Sequence, residues 1–170
     1  LQKNQKKAKK NQKKTKKKDI KIFVIYIIMS EGAVDILSKA LENEQNSSIV
    51  NLNSSKIKTI KNNILQKIQL SRDDLKLYHK KLKDYRYCSD LSDLQYGNYI
   101  RWISLKDPDN LKLTKGAFYV DYFIEKNMVK IRCKNNRGNY FQIKFDEILI
   151  FQKFNEQERI LLKVMDYLKK

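Results

Sequence analysis

Apolar positions along this chain change period twice, and the changes mark out its segments. Val34, Leu37 and Leu41 recur at helical spacing, with Ser30 placed to cap the helix they predict. Asn43 to Asn53, containing Gln45-Asn46-Ser47-Ser48, is polar, so residues 29–53 read as a short helix and a linker. Ser54 or Ser55 opens a second helix, whose stripe is Ile57, Ile60, Ile64 and Ile68. Ser71-Arg72-Asp73-Asp74 resembles a capping box and predicts a break, followed by a third helix carrying Leu75, Tyr78, Leu82 and Tyr85. Residues 54–92 are thus expected to be helical, each narrow stripe needing a surface to cover it.

Period two takes over from Tyr99. Tyr99 to Leu105 is a strand, and Asp107-Pro108-Asp109-Asn110 a turn holding the chain's one proline. Phe118, Val120, Tyr122 and Ile124 alternate with Tyr119, Asp121 and Phe123, which is the period of a half-buried strand. Lys126-Asn127 turns into Met128 to Lys134, where Val129, Ile131 and Cys133 oppose Lys130, Arg132 and Lys134. Asn135-Asn136-Arg137-Gly138 reads as a hairpin loop, with glycine where a positive φ is needed. Tyr140 to Phe145 returns, and after Asp146-Glu147 a last strand spans Ile148 to Lys153. The expected fold is α+β: a five-stranded antiparallel small barrel over residues 93–154, with helices before it and one after. Its order of parts is similar to that of Src-homology-three and Tudor-like barrels, an analogy of topology from which function does not follow. Asn155 with Glu158 starts a C-terminal amphipathic helix, residues 155–170, with Ile160, Leu161, Val164, Met165 and Leu168 on its stripe.

Charge changes this picture mainly at the start. The net charge is +18, and Leu1 to Ile28 carries eleven lysines against one acid, Asp19. Three readings compete for this basic leader. It is an untranslated read-through of AT-rich DNA ahead of Met29, a disordered basic tail for nucleic acid, or a targeting segment. The apolar run Ile22 to Ile28 is far short of the ~20 residues that span a bilayer, so no membrane span is expected. The remainder is moderately basic, which favours phosphate backbones or anionic surfaces as partners. Two distant cysteines, Cys88 and Cys133, have no metal-ligand spacing and read as reduced thiols of an intracellular protein.

The stretch Leu94-Gln95-Tyr96-Gly97-Asn98-Tyr99-Ile100-Arg101-Trp102-Ile103, followed by Leu113-Thr114-Lys115-Gly116-Ala117-Phe118, resembles a pattern in uncharacterised proteins of large nucleocytoplasmic DNA viruses. There a glycine precedes a strand reading hydrophobic-Arg-aromatic, and a glycine-containing strand follows. The likeness covers about Leu91 to Phe154, and this chain has Gly116-Ala117 where that family usually has two glycines. It implies a viral, non-enzymatic accessory or virion-associated protein with a small barrel, located in the host cytoplasm or the virion.

Candidate chemistry is correspondingly plain. Lys130, Arg132, Lys134, Arg137 and Lys144 fall on one hairpin side, and Arg101 extends the patch. With Tyr119, Phe123, Tyr140 and Trp102 as stacking rings, this is the composition that binds single-stranded nucleic acid. The competing reading is a solvated face whose charges block edge aggregation. An aromatic cage from Tyr99, Trp102, Tyr119 and Tyr122 is a further option. Protein partnership or self-association would use the stripes Ile57, Ile60, Ile64, Ile68 and Leu161, Met165, Leu168, unless the helices pack across the barrel. His79 sits mid-helix without a nucleophile at a useful spacing. Asp73-Asp74 and Asp107/Asp109 are explained by a cap and a turn, and the four glycines are isolated. No catalytic residue, metal site, cofactor or small-molecule substrate is expected.

Overall fold

A computed structural model describes residues 31 to 168. The leader, Ser30 and Lys169-Lys170 lie outside the described residues. Helix α1 (Glu31–Glu42) belongs to one compact unit and everything from Asn43 onward to a second. Within α1, Lys39 pairs with Asp35 one turn earlier at 2.8 Å, and Val34 and Leu41 of the expected stripe are exposed.

The second unit runs through a 3-10 turn (Glu44–Asn46) and a one-turn helix α2 (Ser47–Val50) into α3 (Ser54–Lys67) and α4 (Arg72–Lys81). Strands β1 (Tyr85–Cys88), β2 (Tyr99–Ser104), β3 (Ala117–Glu125), β4 (Met128–Lys134), β5 (Tyr140–Lys144) and β6 (Ile148–Lys153) follow, then α5 (Glu156–Leu168). All six strands join one antiparallel sheet in the order β1-β6-β2-β3-β4-β5.

The five-stranded barrel expected from the sequence does not form. The sheet has six strands and stays open, with β1 and β5 as its edges. The reason lies at Lys61 and Tyr85. Leu82 and Tyr85 continue the stripe of α4, so the chain there looks helical. Yet the buried Lys61 ammonium donates to the carbonyls of both Leu82 and Tyr85 (2.9 Å to the latter), ending the helix and holding the next residues extended. Residues 85–88 then pair with β6, which already pairs with β2. Both sides of β6 are occupied, so it cannot meet β5 and close a cylinder.

The polar stretch 43–53 is likewise packed and is not a loose linker. Asn46 and Ile49 are wholly buried, and Asn43 and Asn46 both donate to Gln157 Oε1, at 2.9 and 3.0 Å. The helix starts follow the sequence closely. Asn53 caps α3 by accepting from Lys56 N at 2.7 Å, one residue before Ser54, and Ser71 caps α4 by accepting from Asp74 N at 3.1 Å. Asn155 and Glu158 form the expected reciprocal box at 2.8 and 3.0 Å.

The two faces of the sheet differ. On the apolar face, one cluster takes residues from all six strands, including Cys88, Ile100, Tyr119, Ile131, Phe141 and Ile150. Leu91 and Leu94 from the β1–β2 connection and Phe145 from the turn before β6 complete it. No α-helical residue belongs to that cluster, so the strands and the 3-10 turns at Leu91–Asp93 and Phe145–Glu147 bury this face. The other face is split. Over β1, β6 and β2 it is covered by α3 and α4, with Leu65, Tyr78 and Leu82 packing on Tyr85, Ile103 and Phe151. Tyr78 Oη pins α4 to the β2–β3 connection, donating to Leu111 O at 2.9 Å and accepting from Leu113 N at 3.1 Å. Among the described residues of this unit, no helix packs on this face over β3, β4 and β5.

Candidate nucleic-acid interface

Strand register decides what the bare half of the split face displays. Tyr99 stands opposite Phe118, Phe118 opposite Lys134, and Lys134 opposite Tyr140. Side chains directly opposite one another in a sheet share a face, so these four form one row across β2, β3, β4 and β5. The rings of Tyr99 and Phe118 meet edge to face at 5.0 Å, and Lys134 Nζ lies 5.5 Å from the Tyr140 ring centre. Phe118 is 41% exposed and Tyr140 61%. The row is therefore an aromatic strip with a cation set into it, open to solvent at Phe118 and Tyr140 and half-buried at Tyr99.

Two further rows run beside it. Arg132 sits between Asp121 and Gln142, and Lys130 between Phe123 and Lys144. Here cations and acids are interleaved. Arg132 pairs with Asp121 at 3.3 Å and lies over the Phe123 ring at 5.3 Å. Lys130 pairs with Glu125, and Lys144 with Glu147 at 2.9 Å. Hydrogen bonds from Lys106 and Lys144 hold the Glu147 carboxyl below its ordinary range. Lys134 and Arg137 make no ion pair among the described residues. Arg101 is on the same face but at its margin, with Nε donating to Thr114 O at 2.9 Å.

The expected site residues thus divide. Lys130, Arg132, Lys134 and Lys144 come together on one face, with Phe123 among them, and Arg137 tips the adjoining loop. Tyr119 does not join them. It is buried on the apolar face opposite Cys133, and cannot stack on a base. A bulge causes this: Tyr119 pairs with Cys133 but Asp121 with Arg132, leaving Val120 as an extra residue that reverses the alternation. The bulge puts Tyr122 and Ile124 on the side of Tyr119, and Asp121, Phe123 and Glu125 on the side of Phe118. Trp102 also belongs to the apolar face, 5.9 Å from Phe141. Since Tyr99 lies on the opposite face from Trp102, Tyr119 and Tyr122, those four rings do not form a cage.

Gly116 lets the strip lie flat. Its φ is +106°, and a Cβ there would sit 2.5 Å from Ile100 O and 2.6 Å from a carbon of the Tyr99 ring. Only glycine allows β3 to start so close under that ring.

The helical stripes are largely consumed inside the unit. Ile57 and Leu161 are buried, Ile64 and Ile68 pack against the covered half, and Met165 is half-buried. Ile60 at 39% and Leu168 at 69% exposure are the members facing solvent. Groups that could do chemistry are quiet. Both cysteines are free and buried, and burial pushes each thiol up to about 12, so neither is a thiolate near neutral pH. His79 faces α3, its Nε2 3.2 Å from Asn62 Oδ1, and burial followed by the Lys61 charge lowers its pKa. Among the described residues no cluster of His, Cys, Asp and Glu could hold a metal ion. No helix among them is long and apolar enough to cross a membrane.

A basic cleft that the sequence does not announce adjoins the strip. Tyr99, together with Gly97 and Asn98, forms one wall of a cavity of about 570 Å³, and Lys153, Glu156, Arg159, Ile160 and Lys163 line the others. Lys153 ends β6, while the helical residues recur at three- and four-residue steps on one side of α5. Nothing in the separate segments signals that they meet. Compared with known proteins, the chain matches no family model, no curated protein and no solved structure.

Proposed function

We propose that the bare half of the split face is a non-catalytic binding surface for single-stranded nucleic acid. The observation that carries this reading is the row Tyr99–Phe118–Lys134–Tyr140. The exposed rings of Phe118 and Tyr140, on either side of Lys134, offer π-faces to bases, with half-buried Tyr99 at the end of the row, each stacked base contributing about 1–3 kcal/mol. Lys134 within the row and Arg137 beside it supply positive charge that no carboxylate among the described residues offsets, suited to a phosphate backbone. A merely solvated edge has no need of rings standing in line with its lysines. The paired cations Lys130, Arg132 and Lys144 add a milder field while keeping the strands from associating with one another.

An assembly role through the helical stripes has less support, because Ile57, Ile64, Ile68 and Leu161 already serve the unit's own packing.

Titration of the full chain against single-stranded DNA and RNA at two salt concentrations tests the proposal. Affinity should fall steeply with salt. The double substitution Tyr140→Ala with Lys134→Ala should weaken binding by a factor of about ten or more, on stacking alone. Because the leader lysines are common to both proteins, the difference reports on the sheet. Equal affinities for the two proteins would sink the reading.

A further inference from the structure

The strip is not symmetrical. At the β5 end Tyr140 opens onto solvent. At the other end Tyr99 is one wall of the basic cleft, whose lining includes residues of α5, and beyond Lys153 the row meets the buried Tyr85 of β1. Extending the β2–β6 register by one residue places Lys153 opposite Tyr99, so the row itself runs into the cleft. From β5 to β6 it crosses four strand spacings, about 19 Å.

Charge separates the cleft from the strip's flank. On the strip's flank Lys130, Arg132 and Lys144 each face a carboxylate. In the cleft, Lys153, Arg159 and Lys163 make no ion pair among the described residues, and the one acid in the lining is Glu156. An excess of positive charge in a concave, half-walled space suits a compact anion of more than one charge. A phosphodiester carries one negative charge and must continue in both directions. A terminal phosphomonoester carries about −1.5 to −2 near pH 7 and ends the chain, as a blocked path requires.

The floor of the cleft is held firm from behind. Gln95 accepts from Asn98 Nδ2 at 3.1 Å and from Asn155 Nδ2 at 2.7 Å, and its own backbone N–H donates to Gln152 Oε1 at 2.8 Å. Beneath them Arg86, 2% exposed, donates through Nε to Glu158 Oε1 at 2.9 Å and through its terminal nitrogen to Asp93 O at 2.6 Å. The start of α5 and the start of β2 are thereby tied to one another, which fixes the distance across which Arg159 and Tyr99 face each other. Binding groups on a rigid frame lose little conformational entropy when a ligand arrives.

We infer that the cleft between Tyr99, Lys153 and the Arg159/Lys163 side of α5 receives the terminal phosphate of a nucleic-acid strand whose bases lie along the row. The inference rests on the nucleic-acid reading of the sheet and adds an end preference to it. Either end of a strand can bear such a phosphate, so the probes are one oligonucleotide of about eight residues in three forms: 5′-phosphorylated, 3′-phosphorylated and unphosphorylated. With the full chain, one phosphorylated form should bind about tenfold tighter than the bare one, the scale of a single charge-assisted contact. The double variant Arg159→Ala, Lys163→Ala should abolish that preference and leave the affinity for the unphosphorylated form nearly unchanged. Both residues are exposed, so its thermal unfolding should match that of the unmutated chain. Equal affinities for all three forms, or a preference that survives in the double variant, would overturn the receptor alone. Failure of every form to bind at low salt would overturn the sheet reading and the receptor with it.

Discussion

On β6 and β2, Phe151 and Ile103 disappear beneath Leu65 and Tyr78. On β3 and β5 the same face of the same sheet presents Phe118 and Tyr140 to solvent. Both halves place large side chains on this face. What differs is the neighbours. The covered half carries Tyr85, Tyr87, Ile103, Leu149 and Phe151, with Arg101 and Lys153 as its cations, and receives two helices from the chain just before it. The bare half mixes rings with Lys130, Arg132, Lys134 and Lys144, whose desolvation under a helix would cost more than the rings could return. Charge on alternate positions thus decides which half becomes core and which remains available to a ligand.

The most severe way to break this comparison is to unseat β1, the edge on which the covered half depends. Glu158→Ala removes the closer of the two carboxylates facing buried Arg86, leaving Asp93 Oδ1 at 3.6 Å, and should lower stability by about 3 kcal/mol or more, read from urea unfolding. Next is Leu65→Ala, which hollows the layer between α3 and the sheet at a cost of about 2–5 kcal/mol. Its folded fraction should still bind oligonucleotide as the unmutated chain does; a parallel loss of affinity would mean the halves are not separable. Tyr140→Ala reverses the pattern. It should weaken binding by about 1–3 kcal/mol while changing stability by no more than about 0.5 kcal/mol, as exposed substitutions do.

A finer distinction concerns the cations. Lys134→Ala should reduce the salt dependence of binding by about one unit of slope, as expected for a lysine engaged with phosphate. Lys130→Ala, which also frees Glu125, should change that slope less. If Lys130 proves the more important, the interleaved acids do not temper the surface.

A further effect is electrostatic and belongs to the covered half. Burial pushes the Lys61 ammonium down to about 8, with Asp84 opposing that shift and Lys58 adding to it. A native state that holds its proton less firmly than the unfolded chain gains stability as pH rises. Stability should therefore climb from about pH 8 towards pH 10.5, the interval between the folded and unfolded values. The neutral amine still has two N–H donors for the carbonyls of Leu82 and Tyr85, so their pairing survives the titration. Lys61→Met should flatten the rise, and denaturation at about pH 7.5 and pH 9.5 compares the two proteins.

Much of the β region was legible because its signals are local. Gly138 supplies the positive φ that the β4–β5 loop requires, and Lys126 and Asn127 both adopt positive φ in the tight β3–β4 turn. Caps at Ser71 and Asn155 likewise depend on residues only three apart. β1 was missed because its four residues include Arg86, which interrupts an apolar pattern, and because Tyr85 continues a helical one. The barrel failed with it: whether two edges meet depends on which strand takes the last free ladder, and no residue spacing records that. Tyr119 was misplaced for a subtler reason, since a bulge at Val120 leaves the alternation of letters intact while reversing the alternation of faces. The cleft was out of reach. Lys153, Arg159 and Lys163 look like ordinary solvated positions until α5 folds back beside the start of β2.

The supernumerary residue at Val120 has a consequence for how this surface treats any polyanion. In an unbulged ribbon Asp121 and Glu125 would hang behind the sheet, and Arg132 and Lys130 would stand unshielded in front. By shifting the tip of the hairpin half a pleat, one amino acid brings both carboxylates forward among the bases' expected resting places. The result is a muted flank beside a bare lysine, so that attraction is focused along a line instead of being spread over a plane.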